Sequence, residues 1–161
     1  MRRRKEIVSN IEKYIKLYPI AILHILAING NKNILQTILS YSQIKVNYNI
    51  VNKSQNTPLH LALENNNNEI ALLLIDIGVE LNKKNKHDLT PLMICCERNN
   101  VEIAKKLVSM NNSLILQTNI LGENSIKICE RNKNEDLCLF LLSQSNKTDM
   151  KSSSKSIKLI K

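Results

Sequence analysis

Thr57 and His60 stand three residues apart in the stretch TPLHLALENNN (57–67). A hydroxyl and an imidazole at that spacing come within reach of each other at a helix start. With an acid to orient the imidazole, they would form the working part of a nucleophilic site. The same residues also read as a helix joint. Thr57 is a good N-cap, Pro58 fits the first helical position where its missing N–H costs nothing, and His60 can tie the turn. Uniqueness separates the two readings, because an active site normally occurs once. The pattern is not unique: Thr90 and Pro91 repeat Thr57 and Pro58 thirty-three residues later, and His24 falls in the slot of His60. The structural reading is therefore favoured for Thr57, Pro58, His60, Thr90, Pro91 and His24.

Four cysteines offer a second possible chemistry. None forms a C-x-x-C pair, so neither the ligand spacing of a zinc site nor a disulfide framework is present. Cys95 and Cys129 instead fall in the slot of Ala62, and Cys138 in the slot of Ala71 and Ala104. Small apolar slots between helices accept cysteine as a small hydrophobe. Buried thiols are expected, with no metal, no cofactor and no small-molecule substrate.

The elements that hold these residues follow from composition and period. The chain has 161 residues, 43% of them apolar, with one Phe, no Trp and three each of Gly and Pro. A single domain with an aliphatic, mostly helical core is expected. The net charge of +9 suggests nucleic acid until it is mapped. Residues 1–17 and 146–161 each carry +4, which leaves +1 for the body between them. A folded nucleic-acid binder concentrates basic charge on one face of its domain, and this body lacks the surplus. Apolar runs are too short to span a membrane, and no apolar segment follows the basic start MRRRK. The expected location is intracellular, in the cytoplasm, and in the nucleus if RRRK (2–5) acts as an import signal.

Residues 57–82 superpose on 90–115 at an offset of 33, with Glu64/Glu97, Asn66/Asn99, Glu69/Glu102, Ile70/Ile103 and Ala71/Ala104 in step. Worn copies follow at 21–39 (offset 36) and 124–142 (offset 34). Self-similarity at this period signals a stacked array of short units, none stable without its neighbours. In this motif the chain resembles the ankyrin repeat family, whose T-P-L-H-x-A signature is matched by TPLHLA at 57–62. The resemblance covers about residues 18–144.

The resemblance implies an all-α solenoid of helix-turn-helix units with short β-hairpin or loop fingers. Its repeats would lie at about 18–51, 52–84, 85–118 and 119–145. An amphipathic helix over 1–17 would cap the start, the charged fourth repeat would cap the end, and a basic, disordered tail would occupy 146–161. Where the family has glycine between helices, this chain has Gly30, Asn66, Asn99 and Lys133, and Gly78 ends the second helix of its repeat. In the fingers Gly122 keeps the family glycine, while Gln55 and Asp88 replace it. Those two turns are expected to be strained.

The family's habit is to bind proteins on the finger tips and the open side of the first helices. Carried over slot by slot, that face comprises Lys53, Ser54 and Asn56, then Lys86, His87 and Leu89, then Ile120, Leu121 and Glu123. Glu64, Asn65, Glu97, Arg98, Arg131 and Asn132 complete it on the helices. Mixed charge with apolar tips suits a protein partner better than a polyanion. The expected protein is a non-catalytic, monomeric binding module: an adaptor, an assembly chaperone or a stoichiometric inhibitor. The alternative is an electrostatic tether, with the tails bringing the body to anionic membrane or nucleic acid.

Overall fold

A computed structural model of the chain describes residues 13, 18–40 and 46–157. The helices are α1 (Pro19–Asn29), α2 (Lys32–Ser40), α3 (Pro58–Glu64), α4 (Asn68–Asp76), α5 (Pro91–Arg98), α6 (Val101–Met110), α7 (Ser125–Arg131) and α8 (Glu135–Ile157). A 3-10 turn, Asn112–Leu116, follows α6. The chain falls into two compact units, Met1–Glu80 and Leu81–Lys161. The N-terminal cap expected over 1–17 lies, apart from Lys13, outside the described residues.

Within the first unit α1 packs on α2 and α3, and α4 packs on α2 and α3. Its core is aliphatic: Leu23, Leu35, Ile38, Leu59, Leu63, Ile70 and Leu74 are all but inaccessible. Within the second unit α5 packs on α6 and α7, and α8 packs on α7 and on the 3-10 turn. Ile94, Ile103, Leu107, Leu114, Ile128, Leu137 and Leu141 fill that core. Helices of seven to eleven residues are too short to persist alone, so this burial is what holds them.

The helix boundaries carry the stops and starts that the sequence announces. Gly78 takes φ +81° after α4, and the Val79 N–H reaches back to the Leu74 carbonyl at 3.3 Å while the Val79 side chain is buried. That is a Schellman ending with its hydrophobic contact. Gly30, Asn66, Asn99 and Lys133 all stand at positive φ, between +53° and +70°, in the turns between paired helices. Gly30 is also held by space, because a Cβ there would lie 2.8 Å from Asn67 Oδ1.

No strand forms among the described residues; the fingers are tight turns, with one isolated antiparallel bridge between Thr118 and Asn124. In the segment expected as a tail over 146–161, α8 runs on to Ile157, and 158–161 lie outside the described residues. Once the packed turns from Glu135 to Leu141 have nucleated the helix, each further residue adds a hydrogen bond at little cost, even in a polar segment.

Candidate functional site

The buried Thr57 hydroxyl and His60 do meet. Thr57 Oγ1 lies 2.8 Å from His60 Nδ1, the Thr57 N–H donates to Nδ1 at 3.2 Å, and the His60 N–H donates to Oγ1 at 3.3 Å. Because a backbone N–H can only donate, Nδ1 is the acceptor and the ring proton sits on Nε2. Both side chains are sealed at the start of α3, with no path for a substrate. At the start of α5, the first helix of the following repeat, the same box is rebuilt around Met93. Its sulfur accepts from the Thr90 N–H at 3.4 Å, and its N–H donates to Thr90 Oγ1 at 3.3 Å. A thioether has no acid–base chemistry, so the box serves helix capping. Asn124 caps α7 alike, accepting from the Lys127 N–H at 3.0 Å.

His24 does a different job from the one its slot suggested. Ala21, three residues before it, lies inside α1, and the Tyr18 side chain makes no cap bond. Instead His24 Nε2 donates to the Asn56 carbonyl at 2.8 Å, tying α1 to the following finger.

The cysteines are free thiols. Cys95, Cys96 and Cys129 are buried, while Cys138 is only half-buried, a correction to the expectation of four core thiols. Burial pushes the Cys95 thiol far up, and the hydrogen bond to Cys129 together with burial does the same for Cys96. No group of three or more His, Cys, Asp or Glu among the described residues could hold a metal ion.

Each finger is organised by an asparagine that the sequence reading missed. Asn52 Oδ1 accepts from the N–H groups of Ser54 and Asn56, Asn85 Oδ1 from His87 and Leu89, and Asn119 Oδ1 from Leu121 and Glu123, all at 2.9–3.0 Å. These Asx turns set up the positive φ of Gln55, Asp88 and Gly122, at +59°, +56° and +71°. Their recurrence at offsets of 33 and 34 was the available signal. In the second unit, neighbouring fingers are joined: the Ile120 N–H donates to the His87 carbonyl at 3.3 Å, and Lys84 Nζ donates to the Thr118 carbonyl at 2.6 Å.

A second asparagine series joins consecutive repeats. The Asn67 amide donates to the carbonyls of Ala27 and Ile28 at 2.7 Å, and the Asn134 amide to that of Cys96 at 2.6 Å. Each satisfies carbonyls at the end of the preceding first helix, which the helix itself leaves open.

The proposed binding residues divide accordingly. In the first unit Lys53, Ser54 and Asn65 are exposed and Glu64 is half-buried. Asn56 is buried and its carbonyl is taken by His24, so it is withdrawn from the surface set. In the second unit Lys86, His87, Arg98 and Asn132 are exposed and Leu89 is half-buried. Ile120 and Leu121 project at 69% and 72% exposure. Glu97, Glu123 and Arg131 come together, with Arg131 Nη1 on both Glu123 oxygens at 3.0–3.1 Å and Nη2 3.7 Å from Glu97.

A family model described as "Ankyrin repeats (3 copies)" matches residues 7–85 and 77–153. Comparison with curated proteins returned no match.

Proposed function

The chain belongs to the ankyrin repeat family, and from that premise we propose that it is a non-catalytic module that binds a protein partner through its finger tips and first-helix surfaces. The family as a whole mediates protein–protein interaction and is typically non-catalytic. The observation that carries the reading is the third finger. Ile120 and Leu121 project into solvent from an Asx turn whose N–H groups are spent on Asn119, Glu123 and His87. Large apolar side chains held rigidly in water supply contact area at small ordering cost. Around them Lys86, His87, Arg98 and the Glu97–Arg131–Glu123 group provide a polar rim of both signs. In the first unit Lys53, Ser54 and Asn65 offer a smaller polar stretch of the same kind. Adaptor, assembly chaperone and stoichiometric inhibitor all use such a surface.

The tether reading rests on the sequence charge of the two ends. No helix among the described residues is long and apolar enough to cross a membrane. A salt titration of retained ligands separates the readings. Binding through the tails collapses between low and moderate salt and disappears when the Lys and Arg of 2–5 and 147–161 are replaced by Gln. Binding through the fingers survives both.

A further inference from the structure

We propose that Cys96 and Cys129 form an oxidisable dithiol, which a hydroperoxide converts into a disulfide joining α5 to α7. The inference stands apart from partner binding and uses none of the finger residues.

The two cysteines are brought together by a third residue. The Asn134 side-chain amide donates to the Cys96 carbonyl at 2.6 Å, and the Asn134 backbone N–H donates to the Cys129 carbonyl at 2.9 Å. One asparagine therefore holds both cysteine backbones, across the packed contact of α5 with α7. The thiols complete that contact, with the Cys96 S–H donating to the Cys129 sulfur. Both side chains are fully buried, so packing fixes where each sulfur lies. Helix axes about 8–10 Å apart, with Cα atoms about 2.3 Å off each axis, bring facing Cα atoms within roughly 6 Å. A disulfide spans about 4.4–6.8 Å between Cα atoms.

The other sulfurs are less well placed. One repeat earlier, the counterparts of Cys96 and Cys129 are Leu63 and Cys95, so that pair of slots holds a single thiol. Cys95 and Cys96 are consecutive on α5 and do not face each other. Cys138, on α8, is the rival partner for Cys129 that a test must exclude.

The hydrogen bond from Cys96 draws the Cys129 thiol below its ordinary range, which makes Cys129 the sulfur that ionises first. Its thiolate attacks one peroxide oxygen. The O–O bond breaks, and the departing alkoxide takes up the proton that the thiol gave up. Cys129 becomes a sulfenic acid and the peroxide is reduced to an alcohol, or to water if it is hydrogen peroxide. Cys96 then attacks that sulfur, the S–O bond breaks, and hydroxide leaves as water with the Cys96 proton. Two thiols and one hydroperoxide give one disulfide, one alcohol and one water. Burial slows the first step, because the oxidant enters only in local openings of the contact. The loop so closed contains the 3-10 turn and the third finger, and the cross-link shuts the opening that admitted the oxidant.

Treating the reduced full chain with hydrogen peroxide and mapping its peptides without reduction tests this. A linked Cys96–Cys129 pair is expected, with the free thiols falling from four to two. The urea midpoint should rise on oxidation and return with dithiothreitol, since a cross-link restrains the unfolded chain. Cys138→Ser should oxidise as the wild type does. Cys129→Ala, which puts alanine where Ala62 stands two repeats earlier, should lose the cross-link. In Cys96→Ser, dimedone should capture a sulfenic acid at Cys129. A disulfide from Cys129 to Cys138 in the wild-type chain would overturn the proposal. So would four thiols that survive peroxide for as long as the amides of α7 take to exchange.

Discussion

The Met93 sulfur sits 3.4 Å from the Thr90 N–H, in the place where His60 Nδ1 accepts from the Thr57 N–H. One box made with an imidazole and one made with a thioether hold equivalent helix starts. The comparison turns a hydroxyl–imidazole pair from a possible catalyst into a cap, and it predicts how each residue responds to exchange.

Met93→His should stabilise the second unit. The new Nδ1 would accept from Thr90, and Nε2 would donate to the Glu123 carbonyl, which already accepts the Asn119 N–H just as Asn56 accepts that of Asn52. The gain expected is about 1 kcal/mol, the net worth of a buried hydrogen bond. Thr57→Ala and Thr90→Ala should each cost roughly 0.5–2 kcal/mol. Urea midpoints of the three variants measure all of this.

Among the described residues, three side chains occupy left-handed backbone without being glycine or asparagine: Gln55, Asp88 and Lys133. Each carries a penalty of roughly 1–2 kcal/mol from its Cβ. Gln55→Gly and Asp88→Gly should therefore raise the denaturation midpoint, while Gly122→Ala should lower it by a similar step.

Much of this was legible in the sequence, and the legible part was local. Thr-Pro at helix starts and the left-handed turns at Gly30, Asn66 and Asn99 announce themselves by residue type, whereas Gln55, Asp88 and Lys133 are found only by their place on the 33-residue frame. The finger asparagines were hidden by a chain already rich in Asn, where one more recurrence has little contrast. Asn56 looked like a finger residue by slot, but its burial depends on His24 reaching it across thirty-two positions. The exposure of Ile34 and the half-burial of Cys138 were invisible for a related reason. Their residue types match the buried slots, and only packing distinguishes a covered position from an open one.

Asn119→Ala should loosen the third finger more than its surface position suggests. It strips the acceptor from the Leu121 and Glu123 N–H groups and the amide from Glu123 Oε2. A cost of about 1–3 kcal/mol is expected, together with faster amide exchange confined to residues 119–123.

The buried thiols predict an alkaline weakness. Cys95 and Cys96 have folded-state values raised above the ordinary 9.0, by burial for Cys95 and by the Cys129 hydrogen bond with burial for Cys96. Their stabilising contribution is complete below pH 9, where folded and unfolded chains both keep the proton. It is lost as pH rises further, because the unfolded chain releases its protons first. Denaturant midpoints should fall steadily as pH rises above 9, and Cys95→Ala should flatten that fall.

The central claim is that binding resides on the fingers and first helices. Its most direct test compares partners captured by the wild-type chain, by Lys53→Glu/Lys86→Glu/Arg98→Glu, and by the chain with its terminal Lys and Arg replaced by Gln. Loss of the captured partners in the first variant and their retention in the second is the predicted result. Unchanged capture by the charge-reversed fingers, with loss on neutralising the termini, would contradict it.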